Sequence, residues 1–238
     1  PRAIDMAGRL RMLSQRGTKA YLQWGQSIAR DSARVLLQES ISRYEHHLAA
    51  LKAFMPNPAV QASLPQLQTL WSQFKALLIG EPSRTGAAAL YDANETLQSA
   101  AHYLTVSYGN TNGTPLEYLI GLAGRQRMLS QRMAKFYFYR TWELYEAPAD
   151  MEMHLSRAHF TSVLTQLENS GHATPAVRAA ATRVRRAWEP YQQALLASKE
   201  LAAMRAGAER VAEGSERVLA ACEDVLALLV TQAQSKPT

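Results

Sequence analysis

Two nine-residue segments contain the residues of this chain that are best suited to bind an anion. Residues 8–16 read GRLRMLSQR and residues 124–132 read GRQRMLSQR, so eight of nine positions are identical at a separation of 116 residues. Each segment places three arginines beside glycine, serine and glutamine. A guanidinium group is a planar fork of hydrogen-bond donors that matches planar oxyanions. The repetition predicts two copies of one structural unit of about 115 residues.

An α-helix would place the residues of each segment on two different faces. At about 100° per residue, Gly8, Arg11 and Gln15 share one face, and Arg9 and Arg16 share another. A glycine three residues before an arginine allows a helix or a ligand to approach the backbone closely, and amide and hydroxyl groups offer further polar contacts. The predicted ligand-binding residues are Arg11, Arg127, Gly8, Gly124, Gln15 and Gln131, with Arg9, Arg125, Arg16, Arg132, Ser14 and Ser130 as secondary candidates.

Each of these residues also has a structural explanation. The glycines fit tight helix packing, and the arginines fit ion pairs with glutamates on neighbouring helices or exposure to solvent. We favour that structural role for the secondary arginines. For Arg11 and Arg127 we favour ligand binding, because a core-facing surface of glycine, arginine and glutamine is costly unless a negative group meets it.

Composition and charge describe a basic globular protein. The chain has 238 residues, of which 47% are hydrophobic and 19% charged, with a net charge of +6. Acidic residues accompany the basic ones almost everywhere, so we interpret the excess charge as a solvated surface and expect no nucleic-acid partner. The single cysteine, Cys222, excludes an intrachain disulfide and is predicted to fill the core. The longest apolar run, residues 225–230, is too short to span a membrane, and the start at Pro1-Arg2 without Met suggests a processed protein or an excised domain.

Motifs of the common enzyme and cofactor classes are absent from the sequence. There is no HExxH, GxSxG, GxGxxG or Walker phosphate loop, and the six histidines are scattered. We therefore expect no metal site, no cofactor and no enzymatic activity.

The spacing of apolar residues and helix breakers predicts an all-α protein. Proline and glycine clusters divide the chain at regular intervals, as at residues 56–58, 109–115 and 171–175. The predicted helices lie near residues 3–29, 31–54, 59–79, 84–108, 116–146, 149–170, 175–203 and 207–234.

The similarity between the two copies extends beyond the arginine segments, and its extent defines the predicted domains. Lys19 and Tyr21 return as Lys135 and Tyr137, and the segment from Trp71 to Phe74 has a counterpart in residues 188–191. Four helices per copy with short connections predict two tandem antiparallel four-helix bundles. The predicted domains are residues 1–109 and 116–238, joined by a linker at 110–115. That linker is long enough to let the first helices of the two copies lie side by side.

The arginine segments resemble the P-box of the PilJ-like sensor domain, a family that includes the type IV pili chemotaxis transducer and the input domains of the NarX and NarQ nitrate sensors. The matching residues are 4–16 and 120–132, and the tryptophan segments look like the family's third helix. The resemblance implies an antiparallel four-helix bundle per copy. It also implies that Arg11 and Arg127 bind the anion and that Gly8 and Gly124 offer backbone contacts.

From the residues and the resemblance together we expect an extracytoplasmic, periplasmic sensor of a small oxyanion. Nitrate and nitrite are the leading ligands, with a small carboxylate as an alternative. The tandem copies suggest that Arg11 and Arg127 share one anion, as two subunits of a homodimer would, and that binding displaces helices. A homodimer, and a kinase or chemoreceptor module downstream, are the expected partners, with a membrane reached only through segments outside this chain. The rival function is a protein-interaction module that reads a partner such as pilin.

Overall fold

The computed structural model describes residues 2–109 and 113–235, and all regular structure in these residues is helical. The helices form two compact units, Arg2–Gly113 and a second that begins at Thr114. We call them the first and the second repeat, and each is described by itself. The all-α fold class predicted from the sequence is confirmed.

The first repeat is a bundle of four helices. They are α1 (Arg2–Gly25), α2 (Arg30–Lys52), α3 (Pro58–Leu78) and α4 (Arg84–Gly109). Helix α1 packs along α2 and α4, and α3 packs along α4. Residues 10–23 of α1 are all buried, polar and charged side chains included. Burial of apolar side chains stabilises such a bundle. Because residues 10–23 are buried throughout, the polar motif on α1 is enclosed together with these apolar side chains.

The second repeat has the same arrangement with one additional short helix. Its helices are α5 (Pro115–Thr141), α6 (Glu146–Asn169), α7 (Pro175–Leu196), α8 (Leu201–Ala206) and α9 (Ala208–Gln234). Helix α5 packs along α6 and α9, and α7 packs along α9. Helices α5 and α9 are therefore the counterparts of α1 and α4.

Three helices begin at a capping residue followed by proline. The side chains of Asn57, Thr114 and Thr174 accept hydrogen bonds from the backbone N–H groups of Val60, Glu117 and Val177. Proline at the first helical position lacks only an N–H that the helix cannot use, and its φ already suits the helix. The breaker clusters that divide the sequence therefore also position the helix starts.

The first helix of each repeat ends earlier than the sequence predicts. Helices α1 and α5 stop at Gly25 and Thr141, whereas the predictions ran to residues 29 and 146. The reason is a tight turn with left-handed residues, which are Ser27, Ala29, Glu143 and Tyr145. A residue with positive φ cannot continue a right-handed helix. Both turns close with a hydrogen bond to the backbone five residues back, from Ile28 N to Gln23 O and from Leu144 N to Tyr139 O.

A second prediction, one helix over residues 175–203, is wrong at its end. Helix α7 ends at Leu196, and α8 follows after a turn in which Glu200 N donates to Ser198 Oγ at 3.0 Å. The backbone of Glu200 is extended, so the helix has to restart at Leu201. Of the predicted linker, residues 110–112 lie outside the described residues.

No helix within residues 2–109 or 113–235 combines the length and the apolar character needed to cross a membrane.

Candidate functional site

The repeated motif points its polar side chains toward two different neighbouring helices. Arg11 and Gln15 reach α4, where they meet His102 and Gln98, while Arg16 reaches α2. The second repeat separates its arginines in the same way, because Arg127 and Gln131 reach α9 and Arg132 reaches α6. These directions agree with the two faces expected from helical geometry. Each repeat therefore has a polar layer between its first and last long helices.

In the first repeat this layer joins a buried cation to a neutral, exposed partner. Arg11 is 4% exposed, and its Nη1 donates to His102 Nδ1 at 3.1 Å. His102 itself is exposed to solvent. Accepting this hydrogen bond requires an unprotonated Nδ1. One end of the Arg11 guanidinium therefore lies beside a solvent-accessible imidazole.

The neighbouring glutamine of the first repeat has hydrogen-bonding capacity to spare. Gln15 is fully buried, and its Nε2 donates to Gln98 Oε1 over a long 3.5 Å. Its Oε1 has no hydrogen-bond partner in the described part of the chain. A buried amide that is only partly hydrogen-bonded is costly, so a polar guest beside Arg11 would relieve that cost.

The second repeat contains a carboxylate in the same layer. Arg127 is 0% exposed, and its Nη1 lies 3.2 Å from Oε2 of Glu223, whose side chain is 27% exposed. Gln131 is also better satisfied than Gln15, because its Nε2 donates to Ser215 O at 3.1 Å and to Ser130 Oγ at 3.3 Å. In both repeats the Oε1 of the motif glutamine and the Nε of the motif arginine have no hydrogen-bond partner in the described part of the chain. The main difference between the two layers is therefore the carboxylate of Glu223.

Cys222, next to Glu223, reports the low polarity of that layer. Burial raises the pKa of the Cys222 thiol far above its usual range, although Arg127 lowers it and Glu223 raises it further. The thiol is buried, as the apolar sequence around it predicts. A thiol in such surroundings stays protonated and unreactive.

The two serines of the motif are committed to the backbone. Ser14 Oγ donates to Arg11 O at 3.1 Å, and Ser130 Oγ donates to Arg127 O at 2.7 Å. Each serine carbonyl accepts from a hydroxyl that differs between the repeats, at 3.0 Å from Thr18 and at 2.6 Å from Tyr191. These bonds stabilise the motif helices. Because each serine hydroxyl proton is already donated to a backbone carbonyl, neither serine donates it to a ligand.

Three of the secondary arginines lie in ion pairs within their own repeat. Arg9 is 3.2 Å from Asp5, and Arg16 is 3.6 Å from Glu39. Arg132 is 3.0 Å from Glu152. Arg125 is partly buried and has Gly121 where Arg9 has Asp5, so the first ion pair is not repeated. The motif glycines, Gly8 and Gly124, are buried in α1 and α5.

Sequence analysis did not identify the partners on the last helix of each repeat. His102, Gln98 and Glu223 have no motif around them, and His102 was counted only among scattered histidines. A usable signal was present in the register of α4 and α9, because His102 and Glu223 each follow a small buried residue, Ala101 and Cys222, at the same separation of 121 residues.

Both repeats match the model of one protein family. The model of the PilJ family, described as "Type IV pili methyl-accepting chemotaxis transducer N-term", matches residues 2–101 and 118–214. The chain therefore belongs to this family and contains its domain in two tandem copies, as the resemblance implied. No curated protein and no solved structure matches the chain. The family consists of non-enzymatic sensory domains of chemotaxis transducers, and its N-terminal domains are typically periplasmic.

Proposed function

We propose that this protein is an extracytoplasmic sensor that binds a small oxyanion at the buried arginine of its repeated motif, with nitrate and nitrite as the leading ligands. The observation that supports this function best is the polar layer of the first repeat. There a buried guanidinium, an exposed imidazole and an incompletely hydrogen-bonded glutamine occur together, at Arg11, His102 and Gln15.

The chemistry of this layer suits a small planar anion. A guanidinium group in a low-dielectric site attracts an oxyanion more strongly than it would in water, and its fork matches two oxygens at once. The Gln15 amide and the exposed edge of His102 add polar contacts at the periphery. Nitrate is a small planar anion with three oxygens, and a negative charge beside a guanidinium offsets part of the cost of burying a cation.

An anion at this position would also contact the two helices that a signal has to move. Arg11 is part of α1 and His102 is part of α4. A ligand that binds better in one arrangement of the two helices shifts the population toward that arrangement. A transmitter module downstream, a kinase or a chemoreceptor signalling domain, would read that shift.

A thermal-shift assay with the 238-residue chain tests the proposal. Nitrate, nitrite and formate are compared with fluoride at equal ionic strength, and a ligand at about 100 times its Kd should raise Tm by about 5–10 °C. Arg11→Met should remove the shift. Arg43→Met, which removes a charge of the same sign from an exposed position of α2, should preserve it. Equal shifts in both variants, or no shift with any anion in the wild type, would refute anion sensing through the motif.

The expectation that Arg11 and Arg127 share a single anion stays a prediction, as does the parallel pairing of the two first helices. Calorimetric stoichiometry together with single replacements of the two arginines tests it. A shared site requires one anion per chain and a comparable loss of affinity in either variant, whereas a site within the first repeat alone requires the loss in the Arg11 variant only.

The rival function is a protein-interaction module, and exposed apolar side chains on α4 favour it. Tyr103 and Val106 are 59% and 43% exposed and lie three positions apart, on one side of the helix. Two exposed residues form a smaller apolar surface than a typical interaction patch, so we rank this function second. A Tyr103→Ser/Val106→Ser variant that loses binding to pilin, in a protein without an anion-dependent thermal shift, would reverse the ranking.

A further inference from the structure

We propose that the two repeats have divided their roles: the first repeat binds the external anion, and in the second repeat Glu223 occupies the position of that anion. This inference rests on the proposed function and names the repeat that performs it.

His102 and Glu223 occupy equivalent positions of equivalent helices. When α4 is matched to α9 with a constant separation of 121 residues, buried residues fall on buried residues along both helices. The matching pairs are Ala87 with Ala208, Leu90 with Val211, Asn94 with Ser215, Leu97 with Val218, Ala101 with Cys222, Leu104 with Val225 and Tyr108 with Leu229. The same separation places His102 opposite Glu223. The motif arginine therefore meets an imidazole in one repeat and a carboxylate in the other.

The hydrogen bonds around the two arginines differ in the direction that this proposal requires. Arg127 and Glu223 form an ion pair at 3.2 Å, and Gln131 makes two hydrogen bonds within its repeat. In the first repeat the residue at the position of the carboxylate is His102, and Gln15 makes one long hydrogen bond. The Nε of the arginine and the Oε1 of the glutamine lack a hydrogen-bond partner in both layers within the described part of the chain. What separates the layers is that the second contains a carboxylate at 3.2 Å from its arginine where the first contains an imidazole.

Electrostatics then separates the affinities of the two layers. An anion that binds Arg127 has to approach the charged carboxylate of Glu223 closely or displace it from a fully buried guanidinium. Repulsion between two like charges about 4 Å apart, at an effective dielectric constant of about 20, weakens binding by roughly 1000-fold. The neutral imidazole of His102 itself carries no charge that would repel an incoming anion.

An exchange of the two partner residues tests this division in the full chain. Nitrate is titrated calorimetrically into the wild type, His102→Glu, Glu223→His and the double exchange. The wild type should bind one nitrate per chain, His102→Glu should lose at least 100-fold in affinity, and Glu223→His should bind two. The double exchange should bind one nitrate again, now sensitive to Arg127→Met and insensitive to Arg11→Met. His102→Gln, which keeps a neutral acceptor, should bind within about tenfold of the wild type.

The possible failures are distinguishable. If neither nitrate nor nitrite binds the wild type, the proposed function is wrong and this inference fails with it. If the wild type binds nitrate but His102→Glu binds it equally well, anion sensing stands and the division of roles is wrong. The division of roles is also wrong if nitrate binding is lost in the variant Arg127→Met/Glu223→Leu. That variant removes both charges of the second layer together and so avoids an unpaired buried charge. Far-UV circular dichroism and urea unfolding of each variant identify any that fail to fold, and for those the reciprocal variant supplies the test.

Discussion

Removal of the Glu223 carboxylate should destabilise the second repeat strongly, because it deprives a fully buried arginine of its ion pair. Arg127 has no exposed surface, and Glu223 lies 3.2 Å from its Nη1. Removing one partner of a buried ion pair typically costs about 3–5 kcal/mol. Since 27% of the Glu223 side chain is exposed, water already reaches the carboxylate and the lower end of that range applies. We expect Glu223→Leu to lower the free energy of unfolding by about 3 kcal/mol.

Urea unfolding followed by circular dichroism at 222 nm measures this loss, in a buffer containing fluoride in place of nitrate. The matched control is Arg127→Met/Glu223→Leu, which removes both charges and should lie within about 1–2 kcal/mol of the wild type. A second control, His102→Leu in the first repeat, replaces an exposed neutral partner and should cost about 1 kcal/mol. A cost below 1 kcal/mol for Glu223→Leu, or an equal cost for the double variant, would refute the view that Glu223 neutralises Arg127.

Three further outcomes follow from the contacts of individual residues. Burial raises the pKa of Tyr137 to about 12 against the lowering effect of nearby arginines, so the folded state keeps a proton that the unfolded state loses above about pH 10. The contribution of Tyr137 to the free energy of unfolding should therefore be complete below about pH 10 and be lost between about pH 10 and 12. Urea unfolding across that range measures the loss, which should be smaller in Tyr137→Phe. Gly214→Ala should destabilise the protein by about 1–3 kcal/mol, because a Cβ there would lie 2.8 Å from the buried ring of Tyr191. Gly121→Ala should stabilise it by up to about 1 kcal/mol, because this helical position has nothing within 4 Å of the new Cβ. Equal changes in the free energy of unfolding in urea would contradict the packing around Gly214. Cys222 should react with a thiol reagent such as dithionitrobenzoate only after denaturation, because burial keeps its thiol protonated; labelling of the native protein at the rate of a free thiol would contradict it.

The parts of the fold that the sequence predicts correctly are those controlled by local chemistry. The caps at Asn57, Thr114 and Thr174, each followed by proline, begin helices where the breaker clusters predict them. The faces of the motif helix follow from a single angle per residue, so the separation of Arg11 from Arg16 needed no tertiary information. Local rules also explain the buried thiol of Cys222, which lies in an apolar stretch.

The early ends of the first helices were not predictable from residue types. Left-handed backbone at Ser27, Ala29, Glu143 and Tyr145 involves residues other than glycine or asparagine, the types that mark such turns in a sequence. In each repeat the turn lies where the second helix packs back on the first, and we attribute its conformation to that tertiary packing. The same turn occurs in both repeats although residues 26–29 and residues 142–145 have no residue type in common. Its recurrence therefore indicates that the bundle, and not the local sequence, favours this conformation.

The partner of each motif arginine escaped prediction for a related reason. The motif supplies one half of each polar layer, and the other half comes from a helix more than 80 residues further along the chain. Nearly identical segments therefore lie in electrostatically different surroundings, because a single position on the last helix is histidine in one repeat and glutamate in the other. The matches to the family model end at residues 101 and 214, before His102 and Glu223, so they do not distinguish the two copies at this position.

If the two repeats divide their roles as proposed, the difference between His102 and Glu223 explains how a duplicated sensor keeps one responsive site. Without Glu223, the fully buried guanidinium of Arg127 would lose the carboxylate that lies 3.2 Å from its Nη1. That ion pair supplies a counter-charge from within the repeat. On this proposal the second repeat remains folded at any anion concentration, while the first repeat, with His102 at the equivalent position, responds to ligand. The proposal therefore assigns the choice of the anion-binding copy to one residue on the last helix of each repeat, and not to the motif that both repeats share.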